Sequence, residues 1–247
     1  VGDEVLTVSG TGSIANANVA SGKLVTTGTL ALTSGSGNAS NYSIGSITLT
    51  VTQRPVNTAL EKTYDASTNA AGSDLKTNGI TNTVLGHSLT LSGTGTMATN
   101  GVGVGKPVSI GTLSLTGAQS SNYTLSGGTH TIDVNPRTTN ASGTRYYDGS
   151  LVAGSSTFNT FSNTVGGDTI TLSGSGTIAS AGVGSKGVTI GTLQSAHPNY
   201  ILGNASITVT QKPVNLFGSR VAGGAGGLNV QSSELRFTNL ASGETLN

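Results

Sequence analysis

The residues best placed to do chemistry lie in one stretch, GTGTMATNGVGVGKPV, Gly93 to Val108. Its glycines and closing Gly105-Lys106 have the composition of a loop that cradles phosphate. Gly93-Thr94-Gly95-Thr96-Met97-Ala98 also fits the dinucleotide pattern G-x-G-x-x-A. A phosphate loop needs a glycine five residues before its Gly-Lys, a Ser or Thr after it, and a helix N-terminus facing the anion. Asn100 stands where the glycine belongs and Pro107 where the hydroxyl belongs. The residues that follow, PVSIGTLSLTG, alternate at period two, which is a strand pattern. The G-x-G-x-x-A match recurs at Gly10 and Gly174, in a chain with 38 glycines among 247 residues. Tandem copies of one glycine pattern belong to a structural repeat, so nucleotide binding is set aside.

The other reactive residues fall at repeating positions as well. Lys23, Lys106 and Lys186 recur in every copy, and Asp65 and Asp148 in the two copies that retain a Tyr-Asp pair. They read as a Lys–Asp salt bridge or two solvated residues, and such surface pairs contribute only about 0–1 kcal/mol. The sharper alternative is a Lys–Asn/Asp isopeptide crosslink stiffening a chain that contains no cysteine. The three histidines do not recur together: His87 replaces Glu4 and Asp168 of the sister copies, His130 replaces apolar or small residues, and His197 precedes Pro198. A metal or catalytic set needs converging ligands, and none is visible. No metal, cofactor or enzymatic activity is expected. Asn38, Asn41, Asn122, Asn140 and Asn204 lie in N-x-S/T sequons, where turn chemistry accounts for asparagine and glycosylation is the alternative.

Composition narrows the class further. Charged residues are 9%, aromatics 4%, and the formal net charge is +1. Without a basic patch, no nucleic-acid partner is expected. Without an apolar run near 18 residues, no membrane span is expected. The absence of cysteine excludes disulfides and thiolate metal sites.

Internal repeats organise the whole chain. VLTVSGTGSIANANVASGKLV (Val5–Val25), SLTLSGTGTMATNGVGVGKPV (Ser88–Val108) and TITLSGSGTIASAGVGSKGV (Thr169–Val188) are one segment three times. Their serines Ser9, Ser92 and Ser173 are 92−9 = 83 and 173−92 = 81 residues apart. Asn-Tyr pairs keep step at Asn41-Tyr42, Asn122-Tyr123 and Asn199-Tyr200, and VTQRPVN (Val51–Asn57) returns as VTQKPVN (Val209–Asn215). The expected division is a partial unit at 1–52, complete units at 53–135 and 136–211, and a partial, divergent unit at 212–247. In that last unit Leu246 answers Leu6. A chain cut mid-unit at both ends reads as an excerpt from something longer.

Within a unit, Leu89 and Leu91 share one strand face, and PVSIGTLSL reads as a strand whose faces switch at a bulge, Gly111. NYTLSGGTHTIDV reads as a hairpin with a Gly-Gly turn between Tyr123-Leu125 and Ile132-Val134. No helical periodicity is sustained, so the expected fold is all-β: a tandem array of β-sandwich-like (Ig-like) units of about 80 residues. β-Grasp units and a β-solenoid are the alternatives. Five of the six tyrosines (Tyr42, Tyr64, Tyr123, Tyr147 and Tyr200) sit at repeated landmarks. Each offers a large ring for a small core and a hydroxyl to tie down a loop; a stacking platform for sugars is the competing reading.

Tyr-Asp-Gly near the unit start (Tyr147-Asp148-Gly149), Gly-Lys in its middle and Asn-Tyr before its last hairpin resemble the YDG repeat of filamentous-haemagglutinin-like, two-partner-secretion bacterial adhesins. The departures are Asp65-Ala66 and Ala222-Gly223-Gly224 in place of the tripeptide. The resemblance implies a secreted or cell-surface stalk in an adhesin or biofilm-matrix fibre. The implied partners are neighbouring repeats or other copies of the chain, and host or matrix glycans. A lectin-like module and a filament subunit completed by strand exchange are the competing functions.

Overall fold

The structure is a computed structural model describing residues 3–222 and 229–245, so Gly223, Gly224 and Leu246 lie outside the described residues. Among the described residues there is no α-helix; short 3-10 turns such as Ala39–Asn41 interrupt the strands. The chain divides into two compact units. The first runs to Lys62 and takes in Thr68–Thr99 and Val104–Asp133. The second is made of Thr63–Ser67, Asn100–Gly103 and the residues from Val134 on.

The first unit begins with β1 (Leu6–Ser9), β2 (Ser13–Ile14), β3 (Ala20–Thr26), β4 (Ala31–Ser34) and β5 (Thr48–Val51). β1 pairs with β4, while β2, β3 and β5 form a three-stranded sheet in that order. There follow β6 (Arg54–Pro55), β7 (Asn57–Thr63), β8 (Asn69–Ala71), β9 (Leu75–Thr81), β10 (Thr90–Ser92), β11 (Thr94–Met97), β12 (Gly103–Ser109), β13 (Ser114–Thr116), β14 (Tyr123–Thr124) and β15 (His130–Asn135). Six of them make one curled sheet in the order β8-β11-β12-β15-β7-β9.

The second unit repeats this with β16 (Arg137–Tyr146), β17 (Val152–Gly154), β18 (Phe158–Ser162), β19 (Leu172–Ser173), β20 (Ser175–Ile178), β21 (Gly184–Thr189), β22 (Gln194–Ser195) and β23 (Tyr200–Thr210). Its sheet order, β17-β20-β21-β23-β16-β18, is the same. The first and last strands of the repeat lie side by side at the centre, and β16 runs parallel to β23 from Arg137↔Tyr200 to Tyr146↔Thr210. The chain ends with a two-stranded sheet of β24 (Asn215–Gly218) and β25 (Leu235–Thr238).

Three local expectations change. The strands do not divide between two facing sheets; each complete repeat gathers six into one, because its last strand returns beside its first, and leaves β10–β13 or β19–β22 as a separate ribbon. The segment with Gly111 is not a bulged strand but two strands joined by a turn. Gly111 has φ +55, and the Leu113 N–H donates to the Ile110 carbonyl (2.9 Å). Tyr123 and Val134 do not belong to a hairpin. β14 pairs parallel with β6, and in the sister repeat the same segment is the single strand β23.

In the two complete repeats, matched core positions share matched environments. Ile132 and Ile207, Val134 and Val209, Ala70 and Ala153, Met97 and Ile178, and Leu113 and Leu193 are all buried. The glycines that mimic the nucleotide pattern are packing devices. Gly10, Gly93 and Gly174 have φ near +80 to +90, and a Cβ on each would lie 2.1 Å from the carbonyl oxygen of Thr29, Thr112 or Thr192. His130 is a satisfied core histidine: Nδ1 shares a hydrogen bond with Thr58 Oγ1 and Nε2 with the Leu125 carbonyl, each at 2.9 Å.

Candidate functional site

The Tyr-Asp-Gly turn follows directly on the first strand of each repeat. β7 ends at Thr63 and Tyr64-Asp65-Ala66 follow; β16 ends at Tyr146 and Tyr147-Asp148-Gly149 follow. Asp65 Oδ1 accepts the Ser67 N–H and Asp148 Oδ1 the Ser150 N–H, both at 2.9 Å. This is a side-chain-capped turn, and the residue inside it is left-handed: φ is +61 at Ala66 and +75 at Gly149. Aspartate closes the turn, glycine permits it, and the tyrosine stands at its start.

In the second compact unit the Tyr64 ring meets Tyr200 edge-on (centroids 5.6 Å apart) and lies 6.5 Å from His197, which is itself 5.0 Å from Tyr200. Tyr200 donates from its hydroxyl to Asp168 Oδ2 (2.8 Å) and accepts the Val165 N–H (2.8 Å). Asp168 and Asn199 also reach the Tyr64 hydroxyl. The neighbouring Gly-Val loop is held in the same way. The Val102 N–H donates to Asn199 Oδ1 (2.9 Å), and Asn100 Nδ2 donates to the Ala66 carbonyl (2.8 Å). Arg137 adds a hydrogen bond to the Tyr64 carbonyl (3.2 Å).

One period later, Tyr147 donates to Glu244, which occupies the place of Asp168. One period earlier, in the first unit, the Val19 N–H donates to Asn122 Oδ1 (2.8 Å), as Val102 does to Asn199. Tyr123 accepts the Val84 N–H (3.0 Å) and shares a hydrogen bond with His87 Nδ1 (2.6 Å). Tyr42 donates to Glu4. The Asn-Tyr pair thus divides its labour: the tyrosines Tyr42, Tyr123 and Tyr200 meet an acid or histidine of their own repeat, and the asparagines Asn122 and Asn199 clasp the valine of the preceding repeat's loop.

A family model, that of the YDG domain, matches this chain twice, over residues 47–132 and 131–209. The chain belongs to the YDG-domain family. No curated protein and no solved structure matches it closely enough to be counted.

In both YDG copies the backbone N–H of the tripeptide's tyrosine still donates to the last strand of its own repeat (Tyr64 to Asn135, 2.9 Å; Tyr147 to Thr210, 2.8 Å). Burial first, and then Asp168, push the Tyr64 hydroxyl above the usual phenol range; the same two causes act on Tyr200, while the Tyr147 hydroxyl is raised chiefly by its bond to Glu244. The repeated lysines occupy matched, half-buried places on β3, β12 and β21. Lys23 Nζ donates to Asn16 Oδ1 (2.7 Å) and the Asn18 carbonyl (3.0 Å), bracing the loop that carries Val19. Asp148 also lies 3.5 Å from Arg145. The arrangement is one of mutual clasping, with hydroxyls committed to carboxylates and backbone amides.

Sequence reasoning passed over a second repeated lock. Arg54 donates to the carbonyl and side chain of Asn82 (2.7 and 2.8 Å), and Arg137 does the same with Asn163 (2.8 and 2.8 Å). Lys212 donates to the carbonyl of Leu240, the residue after Asn239. Asn82, Asn163 and Asn239 all have positive φ, and each side chain donates to a carbonyl beside the repeat's first strand (Pro55, Thr138 and Pro213). The signal was available as an Asn recurring in step with the Gln-Arg/Lys-Pro landmark.

Proposed function

We propose that this chain is a stalk or spacer segment of a large exported bacterial surface protein, an adhesin or matrix fibre, in which YDG repeats hold other parts of the molecule at a distance. One observation carries this reading. The tyrosine of each Tyr-Asp-Gly turn engages the following repeat (Tyr64 packs edge-on against Tyr200, which bonds Asp168, and Tyr147 donates to Glu244), so one repeat's consensus residue is consumed in holding the next. A residue used in this way serves tandem extension. The exported setting rests on the likeness of the landmarks to repeats of filamentous-haemagglutinin-like proteins. The chain is not an enzyme in this reading and binds no cofactor; its partners are adjacent repeats. Antibody raised against it labels intact cells of the source organism or its culture medium. In force spectroscopy each YDG copy yields as one event that adds about 27 nm of contour length, for about 80 residues at about 3.4 Å each. Saturable binding on a glycan array would replace the spacer with a lectin, and strictly intracellular labelling would end the proposal.

A further inference from the structure

Each complete repeat begins and ends on neighbouring strands that run parallel. In the second copy β16 lies against β23 from Arg137↔Tyr200 to Tyr146↔Thr210. The Arg137 N–H donates to the Asn199 carbonyl (2.9 Å) at one end of this ladder, and the Tyr147 N–H to the Thr210 carbonyl (2.8 Å) at the other. The chain enters the copy at Arg137 and leaves it at Thr210. Because the strands are parallel, these two points sit at opposite ends of the ladder. Tension along the chain therefore draws β16 towards its N-terminus and β23 towards its C-terminus, so that the strands must slide before they can part.

The direction of pull decides how strongly the same hydrogen bonds resist. Sliding by one residue, about 3.3 Å, takes every bond of the ladder out of register together. Parting two strands from one end breaks one pair for about 6.6 Å of separation, since both strands lengthen by a residue. Force is work divided by distance, so sliding demands far more of it for bonds of equal energy. The ladder is also braced. Asn140 Oδ1 accepts the Asn204 N–H (2.9 Å) at its register shift, and Thr210 Oγ1 donates to the Arg145 carbonyl (3.2 Å) near its far end. Ala141, Ala205, Ile207 and Val209 are buried along it, which keeps water from replacing the bonds on that face.

The first copy repeats the arrangement in two pieces. β14 runs parallel to β6, with Tyr123↔Arg54 and Thr124↔Pro55. After Ser126-Gly127-Gly128 the Thr58 N–H donates to the Thr129 carbonyl (3.0 Å) and the Tyr64 N–H to the Asn135 carbonyl (2.9 Å), which sets β7 parallel to its neighbour β15.

We propose that the paired first and last strands of each YDG copy are a shear clamp, which gives the copy its resistance to tension along the chain. The clamp is a property of one folded copy. It does not rest on the spacer reading, which labelling of intact cells tests separately.

The test pulls one copy in two directions. The parent contains no cysteine, so thiol handles can be placed at will. Asn135→Cys with Gln211→Cys loads the ladder of the second copy lengthwise, and Asn135→Cys with Ala196→Cys draws β16 and β23 apart from one end. In force spectroscopy of the full chain at one loading rate, the first pair is expected to yield at a force at least about twofold above the second, given the two distances involved. The unmodified chain, held by its termini, is expected to show for both copies a distance to the transition state below about 3.3 Å, one strand residue. That second reading keeps the test decisive if a cysteine variant misfolds. Equal forces in the two directions, or a distance well beyond one residue, overturns the proposal.

Discussion

At the scale of single residues, each letter of the Tyr-Asp-Gly tripeptide has a separate physical task. The tyrosine reaches a carboxylate of the next repeat, the aspartate caps the turn, and the third residue adopts a backbone conformation that costs an ordinary L-residue about 1–2 kcal/mol. Ala66 bears that cost at φ +61, so Ala66→Gly raises stability by about 1 kcal/mol in urea unfolding. Gly149→Ala, at φ +75 with nothing near the added Cβ, lowers it by about 1–2 kcal/mol. The tyrosines also set a pH limit. Tyr64 and Tyr200 titrate higher in the folded than in the unfolded chain, so what they contribute is complete at neutral pH and disappears as pH climbs past 10 through their raised values. Tyr200→Phe costs about 1–3 kcal/mol at pH 7 and flattens the alkaline limb of the stability curve, read by thermal unfolding from pH 7 to 11. Asp133 limits the acid side. Lys76, at 2.5 Å, and the Gly105 N–H hold its carboxyl below the usual range, and its contribution fades as pH falls through that lowered value.

At the scale of elements, the repeat is closed by its glycines as much as by its apolar strands. Gly93→Ala forces a Cβ against the Thr112 carbonyl at 2.1 Å, whereas Gly105→Ala, also at positive φ, meets nothing within 4 Å. The first substitution lowers the urea midpoint well beyond the second, whose cost is the backbone term alone, about 1–2 kcal/mol. Equal losses would show that close approach at Gly93 is unimportant. The split of one strand into β14 and β15 has a similar origin. The first copy carries Ser-Gly-Gly-Thr (Ser126–Thr129) between Leu125 and His130, and Gly128 lies so near the Val56 carbonyl that a Cβ would sit 1.9 Å from it. The second copy has two residues fewer here, only Gly203-Asn204, and keeps β23 whole, with Asn140 Oδ1 accepting the Asn204 N–H (2.9 Å) across a shift in register.

At the scale of the molecule, the second compact unit contains two loops, Thr63–Ser67 and Asn100–Gly103, that belong in sequence to the first YDG copy. Repeat proteins of this kind have stabilities made of unit terms and nearest-neighbour terms. Tyr64 supplies much of the neighbour term here through Tyr200, His197 and Asp168. Tyr64→Ala therefore separates the unfolding of the two copies: urea denaturation followed by tyrosine fluorescence broadens or splits in the variant while remaining a single transition in the parent. A transition that shifts without broadening would assign Tyr64 to its own copy only.

The period, the strand-forming alternation and the places of the tyrosines, lysines and paired glycines were all legible in the linear chain, because they are local or repeat at fixed intervals. All-β architecture followed from them, and so did a structural role for a glycine motif that mimics a nucleotide loop. Partners across the repeat were not legible. Tyr64 and Asp168 are 168−64 = 104 residues apart, and nothing in the spacing of either announces the other. Sheet order was hidden for the same reason: a strand specifies which face is apolar, but its neighbour is chosen by the return of distant chain. That return sets the last strand beside the first, makes one curled sheet of six strands, and gives each Tyr-Asp-Gly turn a carboxylate to hold.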